Sequence, residues 1–519
     1  MWVTGISREL RVRIKGIILW VILLILILFS FKTLNLNIST LISGIPYGVS
    51  LIMEMFPPDF SGWKKITLLS AETVAMAIWG TLLGILFSIP LGFLSAKNTT
   101  QNTFVYILSK SFVSLIRSIP EILYALVFVV SIGMGPVAGV MALMVGTVGL
   151  LSKFYAESLE SIDPAPVEAV RSTGAHNLSV VRHAIFPQVV PLFMGYNLFL
   201  LDHNIRVAMA IGIIGAGGLG IELFTQMRQF QYQKVSAILI IILLLVSLID
   251  RLSAHLRKAI AEGRLTGANN RVKNILLLTA LPVIALMSLY FIPTSFTEIY
   301  RGVPRILSFI LGAVPPEFSE LTLYVKLMFE TVAIGVCGTL FAIILSIPLG
   351  LLSARNVTSS TVLYNTTKEI TNFFRAMPEL VFALIFVAAV GLGPFAGVLA
   401  ISLHTAGFLG KFYAEAIENI DPKPIEAIVA TGAKFPQKVS HSIIPMVMPL
   451  FNSYNLFLLD RNIRASTVMG IIGAGGIGFE LVMNTRLFEH QKTAAIVTVI
   501  FITILAVEWI SSYLRKKVV

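Results

Sequence analysis

Apolar runs of membrane-crossing length alternate with short polar breaks along the chain, and their spacing predicts an all-helical membrane protein. A helical crossing takes about 20 apolar residues. The first half offers six such segments, at about 16–31, 71–95, 104–132, 137–151, 184–211 and 234–254. The segment beginning near 104 is amphipathic around Lys110 and Arg117, and Pro120 marks a bend or restart before it continues apolar. A loop of roughly forty residues carrying Pro57, Pro58, Asp59, Trp63, Lys64 and Lys65 joins the first two spans. Gly133 to Pro136 forms a turn, and a polar stretch from Lys153 to Ala175 separates the fourth span from the fifth.

The pattern then repeats. Shifting the chain by 258 residues aligns it with itself without a gap: Glu72 falls on Glu330, Arg117 on Arg375, Pro120 on Pro378 and Glu121 on Glu379. Between Lys153–Glu222 and Lys411–Glu480, 42 of 70 positions are identical. Two tandem domains result, 1–261 and 262–519, each with six spans, for about twelve in all. An even number of spans per copy gives both copies the same topology.

Composition agrees with membrane residence: the 519 residues are 56% hydrophobic and 13% charged, with a mean hydropathy of +0.86. The net charge of +12 reads as the Lys and Arg surplus of cytoplasmic loops, not as a nucleic-acid surface. Placing Arg8, Arg11, Arg13 and Lys15 inside puts Lys97, the polar stretch, Arg251 to Lys273 and Arg515 to Lys517 inside as well, so both termini are expected in the cytoplasm. Lys64 and Lys65 are a minor exception. Basic residues before an apolar run mimic a secretion signal at residues 8–31, but no small-residue cleavage site comes after it. A matching run, Ile275 to Ile292, lies mid-chain, so both are read as retained helices. The single cysteine, Cys337, rules out internal disulfides.

The polar stretch cannot sit in hydrocarbon, where unpaired charges and freed backbone groups cost several kcal/mol each. Asp163-Pro164 and Asp421-Pro422 read as an N-cap with proline at the first helical position, and Gly174 and Gly432 as left-handed helix stops. Each copy thus predicts a short capped helix outside the bilayer, either a solvated loop helix or a docking element for a cytoplasmic partner.

The chain resembles the type I ABC importer permeases at this point. Glu168-Ala169-Val170, Gly174 and Pro187 are similar to their EAA loop, and Glu426-Ala427-Ile428, Gly432 and Pro445 repeat the spacing. Val170 and Ile428 stand where the pattern has alanine; Ala184 and Ser442 replace its isoleucine, and Phe186 and Ile444 its leucine. The segments RSIPE (117–121), FRAMPEL (374–380), KFYAE and GIIGAGGLG narrow the resemblance to phosphonate-transporter permeases. The resemblance implies two fused permease domains in the bacterial cytoplasmic membrane, importing phosphonate, phosphite or phosphate. It implies two copies of an ABC ATPase docked on the two loops, binding the ATP and Mg, and an extracytoplasmic substrate-binding protein. It assigns ATPase coupling to Tyr155, Glu157, Asp163, Glu168, Ala169 and Gly174, and to Tyr413, Glu415, Asp421, Glu426, Ala427 and Gly432. No P-loop pattern occurs in the chain, and no cofactor is expected in it.

Charges at membrane depth are candidates for the solute path: Arg117, Glu121, Asp202 and Arg206, with Arg375, Glu379, Asp460 and Arg464. Asp202/Arg206 and Asp460/Arg464 lie one turn apart, which suits either a closed ion pair or paired arginines attracting an anion. Arg117 and Arg375 could instead reach the cytoplasmic interface, braced by Glu121 and Glu379. The GAGGLG and GAGGIG segments match a dinucleotide fingerprint but lack its strand context; close approach of helices or a ligand at the outer face fits them better. The histidines (His176, His183, His203, His255, His404, His441 and His490) show no metal-ligand spacing. An ABC importer permease for another small solute, an ion-coupled secondary transporter, a lipid-acting membrane enzyme and a scaffold are the rival readings.

Overall fold

The computed structural model describes residues 28, 30–34, 38–100, 102–261, 283–292, 296–358 and 360–518. Regular structure among them is helical throughout. Eight helices are long and apolar enough to cross a membrane, or ten if each of two bent pairs counts as one span. The N-terminal basic residues and most of the predicted span 16–31 fall outside the described residues, as do residues 275–282 of the predicted span 275–292.

Each copy has the same helix order. The first has Trp63–Leu94, Thr103–Ser118, Glu121–Ile132, Pro136–Glu160, Pro164–Ser172, Phe186–Gly212, Leu219–Arg228 and Tyr232–Ala261. The second has Leu321–Leu352, Thr361–Ala376, Glu379–Val390, Pro394–Glu418, Pro422–Ala430, Ile444–Met469, Gly478–Arg486 and His490–Val518. The third predicted span is broken at Pro120, where its two helices bend by 83°; the second copy bends by 92° at Pro378. Proline removes an amide donor and disfavours helix in the residue before it, so Ile119 and Met377 are extended.

Two expectations are corrected by the structure. The loop expected between the first two spans contains a helix, Ile38–Glu54, whose Pro46 and scattered polar residues hid its period. Lys153 to Glu160 is not loop but the last turns of the continuous helix Pro136–Glu160. The chain leaves the bundle only after Glu160.

A row of small residues organises each copy. Gly80, Gly84, Ser88 and Gly92 recur every fourth position and are buried on one face of Trp63–Leu94. A Cβ added at Gly80 would lie 2.5 Å from Leu143, at Gly84 2.4 Å from Thr147, and at Gly92 2.7 Å from Tyr155. Close backbone approach of this kind drives helix association where water supplies no hydrophobic force. Asn204 ties a third helix to the pair, donating to Thr81 and Thr147 at 2.8 Å each. Asn462 repeats the link, donating to Thr339 (2.9 Å) and accepting from Thr405 (2.9 Å).

The two compact units of the chain are not its two linear halves. One holds residues 52–316 and 484–491; the other holds the described residues up to Leu51 together with 317–483 and 492–518. Within the first unit, Gly302 of Phe296–Gly312 faces Ile132, and Trp79 donates to the Ala285 carbonyl and Ser288 hydroxyl. Within the second, Gly44 faces Val390, and Phe31 meets Phe341 edge-on at 6.0 Å. Each unit therefore takes in the helical segment that leads into the other half.

Candidate functional site

The capped helix forms as its local sequence dictates. Asp163 accepts the Ala165 amide at 3.0 Å, Asp421 the Lys423 amide at 3.1 Å, and proline opens both helices. Both end at a left-handed glycine, Gly174 at φ +76° and Gly432 at φ +79°. Pro164–Ser172 buries no residue; Pro422–Ala430 buries only Ile425. Val167 packs against the cluster around Leu159 and Val189, and Ile425 joins its counterpart around Ile417 and Ile443. Glu168, Ala169, Glu426 and Ala427 are left exposed. In the first unit a latch holds the helix start: Asp163 donates its amide to Gln188 at 3.0 Å. Glu160 and Glu418 accept the amides of Lys97 and Arg355 (2.9 and 2.8 Å), fixing the end of the supporting helix.

Glu157 and Glu415 are exposed and pair with Lys153 and Lys411 at 3.6 Å. Tyr155 and Tyr413, expected to take part in ATPase coupling, are buried rather than surface residues. Each is 1% exposed, stacks on a phenylalanine (Phe193 at 3.9 Å, Phe451 at 3.7 Å) and donates to an asparagine (Asn197, Asn455) at 2.5 Å. They anchor the bundle beneath the capped helix. Behind both docking helices the chain makes a π-helical turn, Val181–Ile185 and Val439–Ile443, just before Pro187 and Pro445. Such turns recur at functional positions.

The glycine-rich segment lies at the opposite end of Pro136–Glu160 from the capped helix, about 37 Å away at 1.5 Å per residue. It is clamped, not open. Gly218 donates to Glu72 (2.8 Å), Leu219 to Thr73 (2.9 Å) and Gly135 to the Gly215 carbonyl (2.9 Å). Gly476, Ile477 and Gly393 repeat these bonds with Glu330, Thr331 and Gly473. Gly217 adopts φ +87°, and a Cβ there would meet Glu72 at 2.6 Å and the Pro136 nitrogen at 2.9 Å. Helix packing explains these glycines.

Of the charges at membrane depth, Asp202 and Arg206 form a closed pair. Arg206 donates to Asp202 at 2.5 and 3.2 Å and to Asp250 at 3.3 Å, with side-chain exposures of 12, 7 and 19%. Asp250, 44 residues away, was missed in the sequence because no local spacing links it to Arg206. Arg464 donates to Asp460 at 2.5 Å.

Arg117 and Arg375 end the first helix of each bent pair and lie against the middle of the neighbouring span. A Cβ at Gly149 would meet the Arg117 backbone at 3.2 Å, and one at Gly407 the Arg375 amide at 2.5 Å. Glu121 has His203 at 3.8 Å. Glu379 has two neighbours at 3.3 Å, His404 and Arg461, and neither stands out in the sequence by its local spacing. The signal was there: the copies differ at these positions, His203 against Arg461 and Gly146 against His404.

A helical membrane bundle that carries twice, at one end, an exposed capped helix of EAA type has the makings of a transporter's membrane subunit. The chain belongs to the family of binding-protein-dependent transport system inner membrane components, which it matches over residues 88–262 and 346–519. It is a multi-pass transport component and not an enzyme. It is 36% identical over 487 residues to the phosphate-import permease protein of Mycolicibacterium smegmatis, covering 93% of this chain and 91% of that one. It is 40% identical over 223 residues to a phosphite transport system permease protein of Stutzerimonas stutzeri, covering 43% of this chain and 81% of that one.

Proposed function

We propose that this chain is the permease of an ABC importer for a phosphorus oxyanion: phosphate, phosphite or phosphonate. The observation that carries the reading is the doubled docking helix. Two exposed, identically capped helices, each with a free Glu-Ala face, suit two copies of an ATPase subunit, which would bind the ATP and Mg and drive alternating access. Orientation comes with this reading: the docking ends face the cytoplasm and the clamped glycine loops face outward, where a binding protein delivers the solute. A secondary transporter has no use for two such helices.

The test is reconstitution of the chain with its ATPase and binding protein in proteoliposomes, with uptake of labelled phosphate, phosphite and methylphosphonate as the readout. ATP-dependent accumulation that survives an uncoupler is the expected result. Uptake that ignores ATP but collapses with the ion gradient refutes it.

A further inference from the structure

The two units share 42 of 70 residues along Lys153–Glu222 and Lys411–Glu480, and among the positions that differ are those where the bent span meets its neighbours. In the first, Glu121 faces His203, and position 146 is a glycine whose added Cβ would meet the Glu121 side chain at 2.5 Å. In the second, the glycine is His404 and the histidine is Arg461. His404 is 3% exposed. Its Nδ1 lies 2.8 Å from the Met377 carbonyl oxygen, which only accepts, so Nδ1 carries the proton. Its Nε2 lies 3.1 Å from Arg461 Nη2 and 3.3 Å from the Glu379 carboxylate. The same Nη2 donates to Glu379 at 3.3 Å, and the guanidinium lies over the Phe408 ring, 4.9 Å from its centre. Three side chains thus hold one arginine while its Nη1, enclosed by the surrounding protein, has no hydrogen-bond partner: a donor that a solute oxygen would satisfy when the transport cycle opens this side of the unit.

The Arg461 and Glu379 side chains are 32 and 24% exposed, beside the middle of the 25-residue helix Pro394–Glu418. Lipid there is a costly neighbour for either charge, which favours an aqueous path. We propose that Arg461, held by Glu379, His404 and Phe408, is a contact residue for the transported phosphorus oxyanion, and that its counterpart His203 is not. This rests on the import reading above. A guanidinium with a spare N–H suits a tetrahedral oxyanion, and pre-positioning limits the entropy lost on binding. A solute with one anionic group needs such a cation in one unit only, so the fused chain can hold it asymmetrically where two identical subunits could not.

The test uses the full chain with its ATPase and binding protein in proteoliposomes, with phosphate, phosphite and methylphosphonate as probes. Arg461→Gln is expected to lower uptake by about 10-fold or more, the scale of one lost charge-assisted contact. Arg461→Lys should recover part of it, and His203→Gln should stay within about 2-fold of the unaltered chain. ATPase co-purification and substrate-free ATP hydrolysis should be unchanged in all three. Arg461→His, which installs the residue the first unit already carries, serves as a second variant should Arg461→Gln misassemble; it should assemble normally and still lose uptake. Uptake by Arg461→Gln or Arg461→His equal to that of the unaltered chain overturns the proposal, as does an equal loss in His203→Gln. Failure of the unaltered chain to move any of the three anions with ATP sinks the import reading instead.

Discussion

Replacing Arg206 by methionine separates a closed ion pair from a solute contact. The guanidinium faces Asp202 at 2.5 and 3.2 Å and Asp250 at 3.3 Å, with the three side chains exposed by 12, 7 and 19%. Removing the cation takes away the guanidinium that Asp202 and Asp250 share and leaves the two carboxylates facing each other. Breaking a buried pair from one side costs about 3–5 kcal/mol, roughly two to three and a half decades in the folding equilibrium. Arg206→Met should therefore lower the thermal unfolding midpoint of the detergent-solubilised chain and the yield of monodisperse protein. Replacing the whole group with neutral residues (Asp202→Asn, Arg206→Met, Asp250→Asn) should recover most of that loss, because such swaps are often neutral or stabilising. If Arg206→Met unfolds at the unaltered temperature yet abolishes uptake, the guanidinium serves the solute and the ion-pair reasoning is wrong.

Reversing charge on both docking faces, Glu168→Arg with Glu426→Arg, should leave the chain within about 0.5 kcal/mol of its former stability, since both positions are exposed. It should sharply reduce the ATPase that co-purifies; undiminished co-purification would remove these residues from the interface. Tyr155→Phe keeps the stack on Phe193 and loses the bond to Asn197, so a cost of about 1 kcal/mol is expected without loss of ATPase binding. Co-purification that fails in a folded Tyr155→Phe would give that hydroxyl a docking role after all. Asn204→Leu strips a partner from Thr81 and Thr147 and should destabilise by about 0.6–1.7 kcal/mol, the range of interhelical bonds in membranes; an unchanged midpoint would mean the hydroxyls find other partners.

Short-range chemistry was the part of the fold that could be read from the sequence. The N-caps Asp163 and Asp421, the stops Gly174 and Gly432 and the breaks at Pro120 and Pro378 each act within a few residues of themselves, and all lie where the chain pattern put them. The Asp202–Arg206 pairing was legible for the same reason, being one helical turn long. Asp250, Asn204 and Glu72 were not, because their partners lie 44 to 146 residues away and no period connects them. The burial of Tyr155 was not legible, because Lys153 and Glu157, two residues to either side, are polar and turn to the opposite face of the same helix. The Arg461 group was readable only as a mismatch between copies that otherwise agree.

The exchange of leading helices has a consequence for what happens when the polypeptide is cut. Each half sends one segment into the other's fold, so proteolysis between them would sever the covalent link without giving either product a self-sufficient core. A lone first half would bare the surface on Ile132 that Gly302 covers, and a lone second half the surface on Val390 that Gly44 covers. Two such fragments made together should find each other.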